Sequence, residues 1–338
     1  MVAGHSDFRA LERTNRRETA LLVVVFMVLF VALGFGLDFV VGDLRIINGG
    51  IVGVPLLTFA ALIIGVIQSL VSYYGGAALV LASVHARVLT PDSPKHQMVL
   101  DIVREMALAA RMPVPAAYVM DAAAPNAFAT GRDPAHSVIC VTQGLVDEMD
   151  REELQGVIGH EMAHVRDYDT RTMMMIAVLV GGVAMLADFV YRWMWFGGFG
   201  MRRDNSDSGN GGGSGEAGML IAIAVFILAA VAPIFSQLIA MAVSRQREYL
   251  ADASSVEFTR NPRALLRALE HLAKTEAPLK DAPRGIGHLF MVNPLEGTRE
   301  DDESFRSNLF STHPPLGRRI ARLHALLDES AAAAPART

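Results

Sequence analysis

Cysteine is nearly absent from this sequence. Cys140 is the only one in 338 residues, so no disulfide within the chain can staple the fold. Charge is scarce as well: Asp, Glu, Lys and Arg make up 19%, against about 25% in an average soluble domain. Low charge beside a 52% share of hydrophobic residues excludes disorder over most of the chain, which requires the opposite balance. There is no basic surplus either. The 30 Lys and Arg face 35 Asp and Glu, and a pI of 6.1 speaks against a broad nucleic-acid binder. A mean hydropathy of +0.33 then points to a membrane protein with a substantial water-soluble part.

Four stretches account for the missing charge. Ala20–Val41 is uncharged but for Asp38, Ile46–Val84 has no charge at all, Thr172–Tyr191 carries only Asp188, and Ala217–Ser244 carries none. About 20 helical residues cross a hydrocarbon core, so each stretch is long enough to span. A buried soluble helix is the alternative for each, and Asp188 is costly in lipid unless it faces protein or the interface. The first stretch exceeds the roughly 7–15 apolar residues of a cleaved signal. Arg9, Arg13, Arg16 and Arg17 precede it, whereas the link to the second holds only Arg45. That asymmetry predicts a cytoplasmic N-terminus, a short outer link and a return to the cytoplasm near residues 74–76. The third and fourth stretches flank a Gly/Ser-rich segment, 196–218, expected to be a flexible loop. Arg192, Arg202 and Arg203 fall on its expected outer side, so a spanning hairpin and a shallow one both stay open.

In the soluble part, helical periodicity runs over Pro94–Arg111 and stops at Pro113 and Pro115. Short strand-like runs follow at Ala116–Met120, Ala127–Thr130 and Ser137–Thr142. Asp150, with Glu153 three residues on, forms a capping box and predicts a helix through His164.

That helix carries His160-Glu161-Met162-Ala163-His164. Histidines at i and i+4 share one face a turn apart, so both imidazoles can reach one metal ion. Glu161 sits beside them without being needed as a ligand, and can take a proton from a water held there. Two unrelated histidines with an incidental glutamate would leave the capped start and the apolar lead-in of Leu154, Val157 and Ile158 without a purpose. A catalytic zinc site needs a third protein ligand and one open position. Glu248 and Asp252 are again i and i+4, and one can ligate while the other accepts a hydrogen bond from a ligating imidazole. Spacing alone leaves open a solvated face on which Arg245 and Arg247 pair these acids. His164 precedes the third apolar stretch by eight residues and Glu248 follows the fourth by four, so a returning hairpin would bring them to one membrane side.

HEMAH, an apolar hairpin and then SRQREYLADA resemble the HtpX-type membrane zinc endopeptidases, related to the CAAX-prenyl protease Ste24 and to mitochondrial Oma1. Asn126-Ala-Phe-Ala-Thr-Gly131 and Thr312-His313-Pro314-Pro315, with Arg318 and Arg319 beyond, extend the resemblance over nearly the whole chain. It implies an α-helical membrane protein with an α+β gluzincin-type zinc protease domain, about four transmembrane helices and a small mixed or antiparallel sheet. It implies one Zn2+ per chain held by His160, His164 and Glu248, with Glu161 as catalytic base and Asp252 orienting His160. His313 would help to stabilise the oxyanion, and Asn126, Ala127, Phe128, Ala129 and Thr130 would form an edge strand pairing with an extended substrate. Pro315–Leu327 would be a packing helix.

The implied organisation is a cytoplasmic N-terminus (1–18), two transmembrane helices (19–75), a first protease half (76–171), an apolar hairpin (172–244), a second protease half (245–330) and a flexible tail (331–338). The implied role is proteolytic quality control and stress response in a bacterial or archaeal inner membrane, multi-pass, with the active site facing the cytoplasm. Partners would be misfolded or damaged membrane proteins as polypeptide substrates, the lipid bilayer and other quality-control proteases, with no nucleic acid. A CAAX-type processing protease of the same fold is the alternative within enzymes. A non-catalytic membrane adaptor with structural zinc is the alternative outside them, and an intact Glu161 argues against it.

Overall fold

A computed structural model describes residues 8–41, 44–47, 49–193, 245–274, 284–292 and 314–332. The fourth apolar stretch, the Gly-rich loop 196–218, His313 and the tail beyond Ala332 lie outside the described residues. The chain forms two compact units, one from residues 18–72 and 176–239, the other from 1–17, 73–175 and 240–338.

Helix α1 (Phe8–Val41), in the first unit from residue 18 on, leads through a hairpin of β1 (Leu44–Ile47) and β2 (Gly50–Gly53) into α2 (Leu56–Ser83), in that unit up to residue 72. The two helices contain the described segments long and apolar enough to cross a membrane, Asn15–Phe39 and Leu56–Ser83. Asp38, the one charge in the first apolar stretch, is fully buried as a helix cap. Its carboxylate accepts from the Leu57 amide at 2.7 Å and from the Thr58 amide at 2.9 Å, satisfying donors that the first turn of α2 would otherwise leave orphaned. The third apolar stretch is helical within α6 (Asp169–Trp193). Its awkward acid is also answered, since Asp188 pairs with Arg192 one turn on at 2.7 Å.

The second unit holds α3 (Pro94–Ala109), begun by Ser93 accepting from the His96 amide, and a four-stranded mixed sheet. Its strands are β3 (Arg87–Val88), β4 (Ala116–Met120), β5 (Ala127–Gly131) and β6 (Ser137–Thr142), in the order β3-β4-β6-β5. Only β4 and β6 run parallel. After α4 (Gln143–Glu148), the capping box of Asp150 and Glu153 forms as expected and starts α5 (Arg151–Arg166). Then come α7 (Arg245–Thr259), α8 (Pro262–Ala273) and α9 (Leu316–Ala332).

The core of this unit is built around α5. Leu154, Val157, Ile158 and Met162 are fully buried, each contributing about 1.5–3 kcal/mol of apolar burial. Two glycines let its neighbours close in. Ser255 of α7 donates to the Gly156 carbonyl at 2.7 Å, and a Cβ on Gly159 would meet the Ser255 hydroxyl at 3.0 Å. A Cβ on Gly156 would lie 2.6 Å from the Leu265 amide nitrogen and 2.7 Å from its Cα, both backbone atoms of α8. We therefore expect Gly156→Ala to destabilise. Overpacking costs about 1–3 kcal/mol, which outweighs the roughly 1 kcal/mol that alanine gains as a helix former. The thermal midpoint should fall by several degrees, and a midpoint at or above that of the wild type would show that α8 yields freely.

Candidate active site

α5 presents His160 and His164 on one face, and α7 presents Glu248 opposite them. All three are buried, and their ligand atoms lie within 4.8 Å of one another. The two Nε2 atoms are 3.2 Å apart, and the Glu248 carboxylate oxygens lie 3.5 Å from each. Tetrahedral ligation at about 2.0–2.1 Å separates neighbouring ligand atoms by about 3.3–3.4 Å, so the donor set fits a single cation. Glu161, 2% exposed, lines the same cavity of about 10 Å3, room for one water.

Each imidazole is turned by a carboxylate behind it. Asp252 Oδ1 lies 3.0 Å from His160 Nδ1, and Asp169 Oδ2 lies 3.1 Å from His164 Nδ1. Donation of both Nδ1 protons outward leaves both Nε2 lone pairs facing the same point. Burial opposes charge on these rings, yet Asp169 and Glu248 hold His164 well above its ordinary pKa. Burial and Arg319 both oppose protonation of His160, and Asp252 with Glu248 still hold it above the ordinary value. The field in the cavity calls for positive charge.

The surrounding charges are themselves answered. Arg319, fully buried on α9, donates to Asp252 at 2.6 and 3.0 Å and lies 3.3 Å from Glu248. Burial would raise the Asp252 carboxyl, but Arg319 and His160 hold it down at about 2. Asp169 accepts from Asn15 at 2.8 Å and pairs with Arg247 at 3.3 Å. Burial lowers the Arg247 pKa to about 10.

Residues 93–327 match Peptidase family M48. The chain belongs to that family. A protease HtpX homolog of Thermoanaerobacter pseudethanolicus is 39% identical over 318 residues, covering 94% of this chain and 97% of the relative. One of Lactobacillus acidophilus is 39% identical over 310 residues, covering 91% and 96%. The crystal structure of S. mikatae Ste24p matches at 19% identity and a TM-score of 0.47, covering 78% of this chain and 57% of that one. The protein is thus a metalloprotease, a hydrolase of the HtpX type.

In this M48 peptidase β5 lies at the sheet edge, but half of that edge is taken. Phe128 bridges to Phe290, the Met291 amide donates to the Ala127 carbonyl at 2.9 Å, and Asn126 bonds Val292 in both directions. The Thr142 amide donates to the Asn126 carbonyl, so alternate residues 128 and 130 also turn their backbone groups to β6, while 127, 129 and 131 face outward. Ala127 is paired to Met291, and Gly131 accepts from the Thr170 hydroxyl. Ala129, the outward residue on the other side of the Phe128 bridge, lines the cavity with His160, Glu161 and His164.

Periodicity could not find Asp169 or Asn15. Asp169 follows His164 by five residues across a helix end, and Asn15 contacts it from 154 residues away. Of the two arrangements that spacing left open for Glu248 and Asp252, the solvated face is not the one found, since both acids are buried, and Arg247 meets Asp169 at 3.3 Å.

Replacing Arg319 by Leu should destabilise by about 3–5 kcal/mol, since it leaves buried carboxylates uncompensated. The Asp252 pKa is depressed in the folded state, so its contribution is present above the ordinary carboxylate range and disappears as pH falls toward 2. Acid unfolding of Arg319→Leu should accordingly begin at higher pH than in the wild type. Coincident acid-unfolding curves would refute this ion-pair account.

Proposed function

We propose that the protein is a zinc-dependent endopeptidase of a bacterial or archaeal cytoplasmic membrane that cuts misfolded or damaged membrane proteins, with its active site facing the cytoplasm. The observation that carries this reading is the buried His160, His164 and Glu248 cluster sharing a one-water cavity with Glu161. His160, His164 and Glu248 hold the zinc, which when bound supplies Lewis acidity toward a carbonyl and a water. Glu161 takes a proton from the attacking water and returns it to the leaving nitrogen. Asp252 keeps the His160 Nδ1 proton in place, and Asp169 does the same for His164. His313 serves the developing oxyanion.

An extended substrate pairs with the outward N–H and C=O of Ala129, adding a strand to β5. The cavity is too small for a peptide, so substrate entry displaces the Leu289–Met291 segment that lines it. The two long apolar helices and the short sequence distance between His164 and the third apolar stretch support the reading of membrane-protein substrates. Arginines before the first stretch support the orientation.

The test is cleavage of casein by purified protein, with metal content measured beside it. Glu161→Gln should abolish proteolysis while keeping zinc near one per chain, because it removes a base and no ligand. Glu248→Gln should lose zinc and activity together, and Asp252→Ala should cost about 10–100-fold in either. Activity in Glu161→Gln beyond a few per cent, or full zinc in Glu248→Gln, would overturn the assignment. Ala129→Pro removes an outward donor rather than a β6 bond, so it should raise KM without releasing zinc. Normal cleavage by a folded, zinc-loaded Ala129→Pro would end the edge-strand reading.

A further inference from the structure

A second cavity of about 460 Å3 lies in the same compact unit, lined among others by Arg16, Tyr73, Asp133, His136, Tyr168 and Arg171. Arg171 is 6% exposed, and its Nε and Nη2 have no hydrogen-bond partner among the described residues. Its guanidinium sits 5.3 Å from the centroid of the Tyr168 ring, which steadies it without offering an acceptor. Burying a cation with unanswered donors is expensive unless an anion supplies the acceptors. Arg16 contributes a second positive charge to the wall. Asp133 is the one acid in the lining and is already engaged, by the His136 amide at 2.9 Å, the His136 ring at 2.7 Å and Arg132 at 3.5 Å.

Guanidinium groups match phosphate oxygens in a two-pronged geometry. A carboxylate nearby disfavours a dianion more than a monoanion, which points to a phosphodiester rather than free phosphate. Sequence position indicates the source. Arg16 lies four residues before the apolar run at Ala20, Arg171 adjoins the run at Thr172, and Tyr73 falls near the expected cytoplasmic end of the second run. Arginine and tyrosine at the ends of apolar runs mark the headgroup level of a bilayer. We propose that this cavity binds the phosphodiester of a phospholipid headgroup, with Arg171 as the two-pronged donor and Arg16 as the second cation. The proposal rests on the membrane part of the reading above and not on the protease chemistry. A bound headgroup would brace the turn next to the active site, because Thr170 donates to the Gly131 carbonyl at 3.1 Å and Asp169 holds His164.

The full-length protein, delipidated in non-ionic detergent, would be titrated with dihexanoylphosphatidylglycerol, dihexanoylglycerol or inorganic phosphate while its unfolding midpoint is followed. Phosphatidylglycerol should raise the midpoint saturably, dihexanoylglycerol should not, and inorganic phosphate should act only at far higher concentration. Arg171→Gln should weaken the phospholipid response by about tenfold or more, and Arg171→Lys by less, since a lysine keeps charge but loses the fork. Arg16→Gln should shift it in the same direction and decides the matter if Arg171→Gln does not fold. Equal responses in the wild type and in every folded variant would overturn the proposal. So would inorganic phosphate binding as tightly as the lipid, or dihexanoylglycerol matching phosphatidylglycerol. Casein cleavage, measured separately, keeps failure here distinct from failure of the protease reading.

Discussion

Buried negative charge is the constraint that organises this protein. Glu248, Asp252 and Asp169 are each 5% exposed or less, and an unpaired carboxylate in such a place costs several kcal/mol even after relaxation. Each therefore faces positive charge or a donor brought from elsewhere in the chain: Arg319 from α9, Arg247 from α7, Asn15 from α1 and two imidazoles from α5. The small residues along α5 serve the same end, since only a close approach of α7 sets Glu248 against both histidines. The apolar core of α5 stabilises the arrangement, but the charges dictate which helices must meet.

The two histidines are supported in parallel ways from different places. Asp252 stands one turn beyond Glu248 on the same helix, so ligand and support arrive together. Asp169 reaches His164 from the first residue of α6, just past the turn that ends α5. Either carboxylate does the same physical job, holding an Nδ1 proton so that Nε2 presents its lone pair.

Local signals made much of this legible in the sequence. The capping box, the three longer strands, the limits of α3 and both i, i+4 pairs depend on neighbours within a few residues, and the structure has them close to where they were expected. Arg319 was visible only as part of a motif, and the helix bearing it read as a packing element. Nothing in the spacing says that a guanidinium 67 residues beyond Asp252 must lie on it. The covering of β5 was equally hidden, because the Phe128–Phe290 bridge joins segments with no shared periodicity. Long-range compensation of charge leaves no local pattern, since what selects the partner is the cost of burial and not the order of residues.

The turn from Asp167 to Arg171 shows how densely such compensation can be packed. Tyr168 adopts a left-handed φ of 64°, a conformation that costs a non-glycine residue about 1 kcal/mol or more. Its amide still donates to the Val165 carbonyl, which closes α5 before α6 begins at Asp169. At that turn the Asp167 carbonyl accepts from Asn15, Asp169 meets His164, Thr170 holds the end of β5, and Arg171 lines the second cavity. A continuous helix would carry these groups around its surface in regular steps. The strained residue instead sends them to separate partners, so the strain at Tyr168 is offset by contacts that no regular element would make together.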